Sequence, residues 1–92
     1  MENEIYITND LAATIDHLPD KERDKVSEII DSLSGDGWRN SQIVSADNSP
    51  GGGLRARLSG DLRLLFRYAP EQHAIIVVDV ASMRSQQLAT AS

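Results

Sequence analysis

Cysteine is absent from this 92-residue sequence, and only four aromatic residues and two histidines occur in it. The absence of cysteine excludes disulfide frameworks, thiolate nucleophiles and cysteine-based zinc sites. His17 and His73 are then the only soft metal ligands, so we expect neither a metal nor another cofactor. The core must be stabilised by packing alone.

Long hydrophobic runs are also absent. The longest, Ala74–Val78, is far shorter than the roughly 20 residues that span a bilayer, and Met1–Asp10 has no basic region or apolar signal core. We therefore expect a cytoplasmic protein without a membrane partner. The length predicts one small domain over residues 1–92.

Positive charge is scarce, with nine basic against fourteen acidic residues and a net charge of −5. This balance argues against a protein that coats nucleic acid indiscriminately, because phosphate binding requires a concentrated positive surface. The charges are unevenly distributed, however. Residues 1–36 hold ten acidic side chains, whereas residues 37–92 hold six arginines and four acidic residues. The C-terminal part therefore has a mildly basic surface.

The N-terminal part predicts a short strand at Glu4–Thr8 and then two helices joined at Leu18–Asp20. Apolar residues recur at helical spacing in both helices, and Pro19 and Gly35 are typical end signals. The residues expected to form the apolar stripes are Leu11, Ile15, Leu18, Val26, Ile29, Ile30 and Leu33. Two amphipathic helices of this kind must bury their stripes against another element.

The C-terminal part predicts three consecutive antiparallel strands. Leu54–Leu58 and Leu62–Tyr68 alternate apolar and polar residues around a turn at Ser59–Asp61, and Ala74–Val80 is nearly all apolar. If the turn has three residues, one face carries Leu54, Ala56, Leu58, Leu62, Leu64, Phe66 and Tyr68, and we expect the helices to pack on it with Ile76 and Val78. The predicted fold is α+β: a small twisted antiparallel sheet of these strands and the N-terminal one, with a helical hairpin on one face.

The segment between the two parts, Asp36–Gly53, has a loop composition with a possible short strand at Gln42–Val44. The triglycine Gly51–Gly53 predicts a mobile, weakly anchored segment. Trp38 is interpreted as a lid on the core, with a base-stacking platform as the alternative. Residues 85–92 are predicted to form a polar tail.

Arginines alternate with the apolar residues of the first two C-terminal strands. With the three-residue turn, Arg57 faces Arg63, Arg55 lies beside them, and Arg67 follows further along the same face. Directly opposed like charges destabilise a sheet, so the cluster favours an anion site for phosphates or carboxylates. The alternative is a solvated face whose arginines pair with acidic residues of the N-terminal part. Asp79, in the apolar last strand, is expected to pair with an arginine of the neighbouring strand, with an exposed position at the sheet edge as the alternative.

The order strand, helix, helix, hairpin, strand, with Leu54–Leu58, Gly60–Tyr68 and Ile75–Val80, resembles the RelE/ParE toxin superfamily over about residues 4–84. This resemblance implies a RelE-like fold and a cognate antitoxin as partner. RelE-like members cleave mRNA on the ribosome, where a ribose 2′-hydroxyl attacks the adjacent phosphorus. By position, Arg55, Arg57 and Arg63 match basic residues of the family, and Arg84 lies next to its final basic position, where this chain has Met83.

The resemblance leaves three functions open. The nucleases usually carry Tyr or His in the C-terminal segment, whereas Ser85–Ser92 contains neither. ParE-like members inhibit DNA gyrase by binding, and an inactive member would only bind a protein partner. The leading hypothesis is a metal-independent endoribonuclease with Arg55, Arg57, Arg63 and Arg84 at its site.

Overall fold

The computed structural model describes residues 2–82, which form a five-stranded sheet with two helices on one face. The elements are β1 (Glu4–Tyr6), α1 (Asn9–Asp16), α2 (Asp20–Ser34), β2 (Gln42–Ala46), β3 (Gly53–Ser59), β4 (Leu62–Ala69) and β5 (Ala74–Ser82). Short 3-10 turns occupy Gly37–Asn40 and Pro70–Gln72. Arg84 and the predicted polar tail, residues 85–92, lie outside the described residues.

The sheet has the order β1-β5-β4-β3-β2. Neighbouring strands are antiparallel except β1, which pairs in parallel with β5. The α+β prediction with a helical hairpin on one face is confirmed. The possible strand at Gln42–Val44 is a fifth strand, β2, and the N-terminal strand is not antiparallel to its neighbour.

Local signals in the sequence explain the helix ends. The Thr8 side chain accepts a hydrogen bond from the Leu11 backbone N–H and so caps α1. Pro19 immediately precedes α2, where its missing N–H leaves no helical bond unmade. At the other end of α2, the buried Asn3 amide donates to the carbonyls of Leu33 (3.2 Å) and Gly35 (3.1 Å), which satisfies acceptors that the helix leaves free.

The core lies between the helices and one face of the sheet, which we call the helix-side face. Its buried members are Leu11, Val26, Ile29, Leu33, Leu62, Leu64, Phe66, Ile75, Val77 and Val80. Ile15, Leu18 and Ile30 pack against it from the helices, as predicted. The other face, which we call the open face, has no helix of residues 2–82 packed over it.

Several residues predicted for the core lie on the open face instead. Leu58 is 57% exposed, Val78 48% and Ile76 38%. Leu54 and Ala56 share this face, although Ala56 is buried. Two features of the strands cause the difference: the length of the β3–β4 turn and a bulge in β5.

The β3–β4 turn has two residues rather than three. Ser59 pairs with Leu62, so only Gly60 and Asp61 form the loop, and Gly60 has a positive φ of 59°. A glycine at the first position of a two-residue loop is typical of a type II′ hairpin. A change of one residue in the loop moves every side chain of β3 to the other face of the sheet.

The bulge in β5 moves Val78 in a similar way. Leu65 pairs with Asp79 and Phe66 with Val77, so Val78 is an extra residue in β5. Val77 and Val80 therefore both reach the helix-side face, three residues apart, while Val78 is exposed.

The triglycine segment is closely packed, contrary to the prediction of weak anchoring. A Cβ on Gly51 would lie 1.9 Å from the Tyr68 carbonyl oxygen, and one on Gly53 would lie 2.2 Å from that of Ser45. Gly52 and Gly53 also have positive φ values, 91° and 122°. The prediction rested on the flexibility of glycine. In this segment the glycines serve instead to let backbone segments approach closely, because they have no side chain.

Candidate anion-binding site

The predicted arginine cluster is divided between the two faces of the sheet. Arg55 pairs with Phe66 and Arg57 with Leu64, which places both on the helix-side face. Arg63 pairs with Leu58 and Ala81 and lies on the open face, as does Arg67. The predicted opposition of Arg57 and Arg63 is therefore wrong, because it required a three-residue turn.

Arg55 is held by neighbours on three sides. Its Nε donates to the Gly51 carbonyl at 3.0 Å, and its Nη1 donates to Ser41 Oγ at 3.3 Å. The guanidinium carbon also lies 5.4 Å from the centre of the Trp38 ring. These contacts fix the direction of a partly buried guanidinium without neutralising its charge.

Arg57 lies next along the same face, also partly buried, and its Nη1 donates to the Gly37 carbonyl at 3.2 Å. That carbonyl belongs to the residue before Trp38, so both arginines adjoin the 3-10 turn at Gly37–Asn40. The ion pairs among residues 2–82 are Arg23–Asp20, Arg39–Asp36 (4.0 Å) and Arg67–Asp47 (2.7 Å). Within that part of the chain Arg55, Arg57 and Arg63 thus have no carboxylate partner, contrary to the alternative of pairing with acidic residues of the N-terminal part.

The Trp38 indole connects this pair to the core. It stacks on the Tyr68 ring with a centroid distance of 4.1 Å, and the Arg39 guanidinium carbon lies 5.0 Å from its centre. Trp38 packs against the core, as the lid interpretation predicts. Sequence reasoning missed Arg39 and Ser41 as neighbours of the arginine pair. The one sequence feature that could have indicated them is their closeness to the only tryptophan. The sequence predicted a loop in this segment, whereas the structure has a 3-10 turn there.

The open-face arginines have different surroundings. Arg63 is partly buried, and its Nε has no hydrogen-bond partner among residues 2–82. Arg67 donates to Asp47, and this hydrogen bond, followed by those from Ser49, lowers the pKa of the Asp47 carboxyl well below its usual range. Asp79 accepts a hydrogen bond from the Val80 backbone N–H and forms no ion pair within residues 2–82, so its predicted pairing with an arginine is wrong.

The histidines lie apart from the arginine pair. A ring nitrogen of His17 lies 2.7 Å from the Ala13 carbonyl oxygen, and His73 ends the β4–β5 turn with a positive φ of 48°. Among residues 2–82, no three histidine or carboxylate side chains come together as metal ligands do. No helix in the same range has both the length and the hydropathy required to cross a membrane.

Neither a protein-family model nor a curated protein sequence matches this chain. Solved structures do match. A chain of the toxin–antitoxin complex RelBE2 from Mycobacterium tuberculosis superposes with a TM-score of 0.73 at 19% identity, covering 89% of this chain and 99% of that one. A chain of the archaeal RelE–RelB complex from Pyrococcus horikoshii gives 0.70 at 16% identity, covering 90% and 97%.

The isolated RelE toxin of E. coli also matches, with a TM-score of 0.65 at 10% identity and coverage of 98% and 99% of the two chains. In all three cases nearly the whole of the known chain is covered, so the similarity extends beyond a shared hairpin. The described elements, five strands with two helices on one face, therefore adopt the fold of the RelE toxins.

Proposed function

We propose that this protein is the toxin of a toxin–antitoxin pair and that it cleaves mRNA on the ribosome. The observation that carries the proposal is the pair Arg55 and Arg57, two guanidinium groups on one strand of a RelE-like fold with no carboxylate partner in residues 2–82. An RNA phosphate is an anion of suitable geometry for such a pair.

In the proposed reaction, both the nucleophile and the leaving group belong to the RNA. The only other groups required are those that remove and supply protons. The ribose 2′-hydroxyl attacks the adjacent phosphorus, its proton is removed, and the 5′-oxygen leaves with a proton, giving a 2′,3′-cyclic phosphate and a 5′-hydroxyl. Negative charge builds up on the phosphate oxygens in the transition state. A guanidinium group is a hydrogen-bond donor and a poor proton acceptor, so the role of Arg55 and Arg57 is to stabilise that charge rather than to accept a proton.

The other two predicted arginines enter the proposal differently. Arg63 lies on the open face, so we expect that it does not bind the same phosphate as Arg57. It is therefore the matched control, an arginine on the neighbouring strand with the opposite orientation. Arg84 remains a candidate third arginine of the site, to be assessed by its own substitution.

The surroundings of the pair also fit two alternative functions that involve binding without cleavage. In residues 2–82, the groups bonded to Arg55 and Arg57 are two carbonyls and one hydroxyl, without an imidazole or carboxylate to transfer protons. A toxin that inhibits DNA gyrase by binding requires no such group. An inactive module that only binds a partner requires even less.

An antitoxin partner is supported by the open face. Large apolar side chains are exposed there, namely Tyr6 (52%), Leu58, Ile76 and Val78. Several exposed apolar residues on one face of a small protein are typical of a protein–protein interface. The solved relatives named above include complexes of RelE with RelB, which makes a cognate antitoxin the partner to test.

The toxin claim is tested by inducible expression in bacterial cells, alone and together with the product of the adjacent reading frame. We expect growth arrest by the wild-type chain, new 5′ ends within translated mRNAs, and relief of both by the neighbouring protein. Arrest accompanied by intact mRNA and inhibited DNA supercoiling would support gyrase as the target. Growth without arrest, at verified levels of folded protein, would contradict both toxin functions.

A further inference from the structure

The Trp38 indole is placed as an aromatic platform beside the arginine pair. It is the only tryptophan in the chain and lies in the 3-10 turn that both Arg55 and Arg57 adjoin. The Tyr68 ring stacks on it at 4.1 Å with an interplanar angle of 23°. A ring at that distance fills one face of the indole and fixes its orientation.

The guanidinium groups of Arg39 and Arg55 lie over the same indole, 5.0 and 5.4 Å from its centre. Since Tyr68 fills one face, we infer that these cations adjoin the other. The two arginines differ in how firmly they are held. Within the described range 2–82, Arg55 has two hydrogen bonds, whereas the Arg39 side chain is 68% exposed and has one ion pair, with Asp36 at 4.0 Å. An exposed ion pair of this length contributes little, so Arg39 can move aside at small cost.

We propose that Trp38 stacks on a base of single-stranded RNA over the part of the indole that Arg39 covers in the free protein, while Arg55 keeps its place beside that base. This inference rests on the proposed function, because it uses Arg55 and Arg57 to bind the phosphates that adjoin that base. Arg57 bonds to the carbonyl of Gly37, and Arg55 lies over the indole. The base on Trp38 and the phosphates on the two arginines can therefore belong to neighbouring nucleotides of one strand. A preformed Tyr68–Trp38 stack accepts any unpaired base, because every base has a π face.

The chemistry selects single-stranded nucleic acid over other anions. A carboxylate or inorganic phosphate would satisfy the arginines but would leave the indole unused. A duplex would present phosphates, but its bases are already stacked on each other. Only a ligand with an unpaired base next to a phosphate uses the ring and the cations together.

The sole tryptophan gives the test its readout, since stacking of a base quenches indole fluorescence. The purified full chain is titrated at low salt with a six-nucleotide single-stranded RNA, with an abasic sugar–phosphate oligomer of equal length, and with an RNA duplex. We expect saturable quenching by the single strand and none by the other two. The abasic oligomer should still bind, about 5- to 100-fold more weakly, as measured by anisotropy of a labelled oligomer.

Two kinds of variant separate the platform from the phosphate site. Trp38→Leu should weaken binding of the base-bearing RNA to the level of the abasic oligomer. Trp38→Phe should retain part of the difference in affinity between these two oligomers. Thermal melts confirm that both variants are folded. Arg57→Ala should weaken binding of both oligomers and leave the quenching at saturation unchanged.

The outcomes distinguish the base platform at Trp38 from the phosphate site at Arg55 and Arg57. Equal affinities for base-bearing and abasic oligomers, without quenching, would overturn the platform and leave the phosphate site standing. No binding of any oligomer by the wild-type chain would overturn both. Because the fluorescence readout uses the wild-type chain, the test does not depend on the folding of a Trp38 variant.

Discussion

At the scale of single residues, the arginines of β3 and β4 differ in their contacts, although the sequence alone places them in one cluster. Arg67 is neutralised by Asp47, whereas the described partners of Arg55 and Arg57, all within residues 2–82, are oxygens without formal charge. A guanidinium bonded to carbonyls keeps its full charge and a fixed direction. These are the properties that an anion site needs before its ligand arrives.

The two faces of the β3–β4 hairpin should also respond differently to loss of an apolar side chain. Leu64 is fully buried in the core, whereas Leu58 is 57% exposed on the open face. Leu64→Ala should lower the free energy of unfolding by about 2–5 kcal/mol, and Leu58→Ala by less than about 0.5 kcal/mol. Urea unfolding of the two variants measures this. Similar losses from both substitutions would mean that the assigned register is wrong.

The Asp47–Arg67 pair should make stability depend on pH in a defined direction. Because folding lowers the pKa of Asp47, its ionised carboxylate stabilises the folded state above the unfolded-state pKa of roughly 3.9. That stabilisation is lost as the pH falls through the folded-state value. Wild type should therefore exceed Asp47→Asn in urea midpoint at pH 7, and the difference should narrow progressively below about pH 4.

Arg67→Gln provides the control for this pair. Asp47→Asn should have a smaller effect in the Arg67→Gln background, because the main cause of the lowered pKa is already removed. A difference between wild type and Asp47→Asn that stays constant from pH 7 to pH 2.5 would show that the ion pair does not contribute.

At the scale of elements, periodicity predicted the helices and strands well, because apolar side chains at matching spacing must share a buried face. Leu11, Val26, Ile29 and Leu33 lie where their spacing placed them. The face of the sheet on which each side chain lies was harder to predict. It depends on the parity of one turn and on one bulge, and the composition of Ser59–Asp61 permits a two-residue or a three-residue loop.

The same two features explain what could be predicted of the site. Arg55 and Arg57 were correctly placed together, because they are two residues apart on one strand. Their separation from Arg63 and their contact with Trp38 depend on the turn and on the packing of an irregular segment. Neither feature leaves a periodic signal in the sequence.

The glycines before β3 give a prediction about this packing. Gly51→Ala would place a methyl group 1.9 Å from the Tyr68 carbonyl oxygen, a clash that requires the backbone to move. We expect a loss of about 1–3 kcal/mol in unfolding free energy. Gly35→Ala is the matched control, because its nearest neighbour would be 3.8 Å away and its φ is −101°. Unfolding midpoints of the two variants should differ clearly, and equal midpoints would contradict the close packing.

At the scale of the whole molecule, the surfaces of the protein differ in charge and in apolar exposure. Acidic residues concentrate in residues 1–36, which include both helices, so an RNA strand would be repelled from much of the helical layer. The arginine pair lies at the strand next to the sheet edge, beside the Gly37–Asn40 turn. The open face carries exposed apolar residues suited to a protein partner. Under the proposed function, RNA and an antitoxin would bind different faces of one small sheet.

The central claim is that Arg55 and Arg57 on the helix-side face, and not Arg63 on the open face, stabilise the scissile phosphate. The most direct test is cleavage of ribosome-bound mRNA by purified wild type, Arg57→Ala and Arg63→Ala, with thermal melts as folding controls. We predict cleavage by wild type, a reduction on the order of 10²–10³ for Arg57→Ala, and a rate close to wild type for Arg63→Ala. No cleavage by folded wild type, or loss of cleavage in Arg63→Ala but not in Arg57→Ala, would contradict this account.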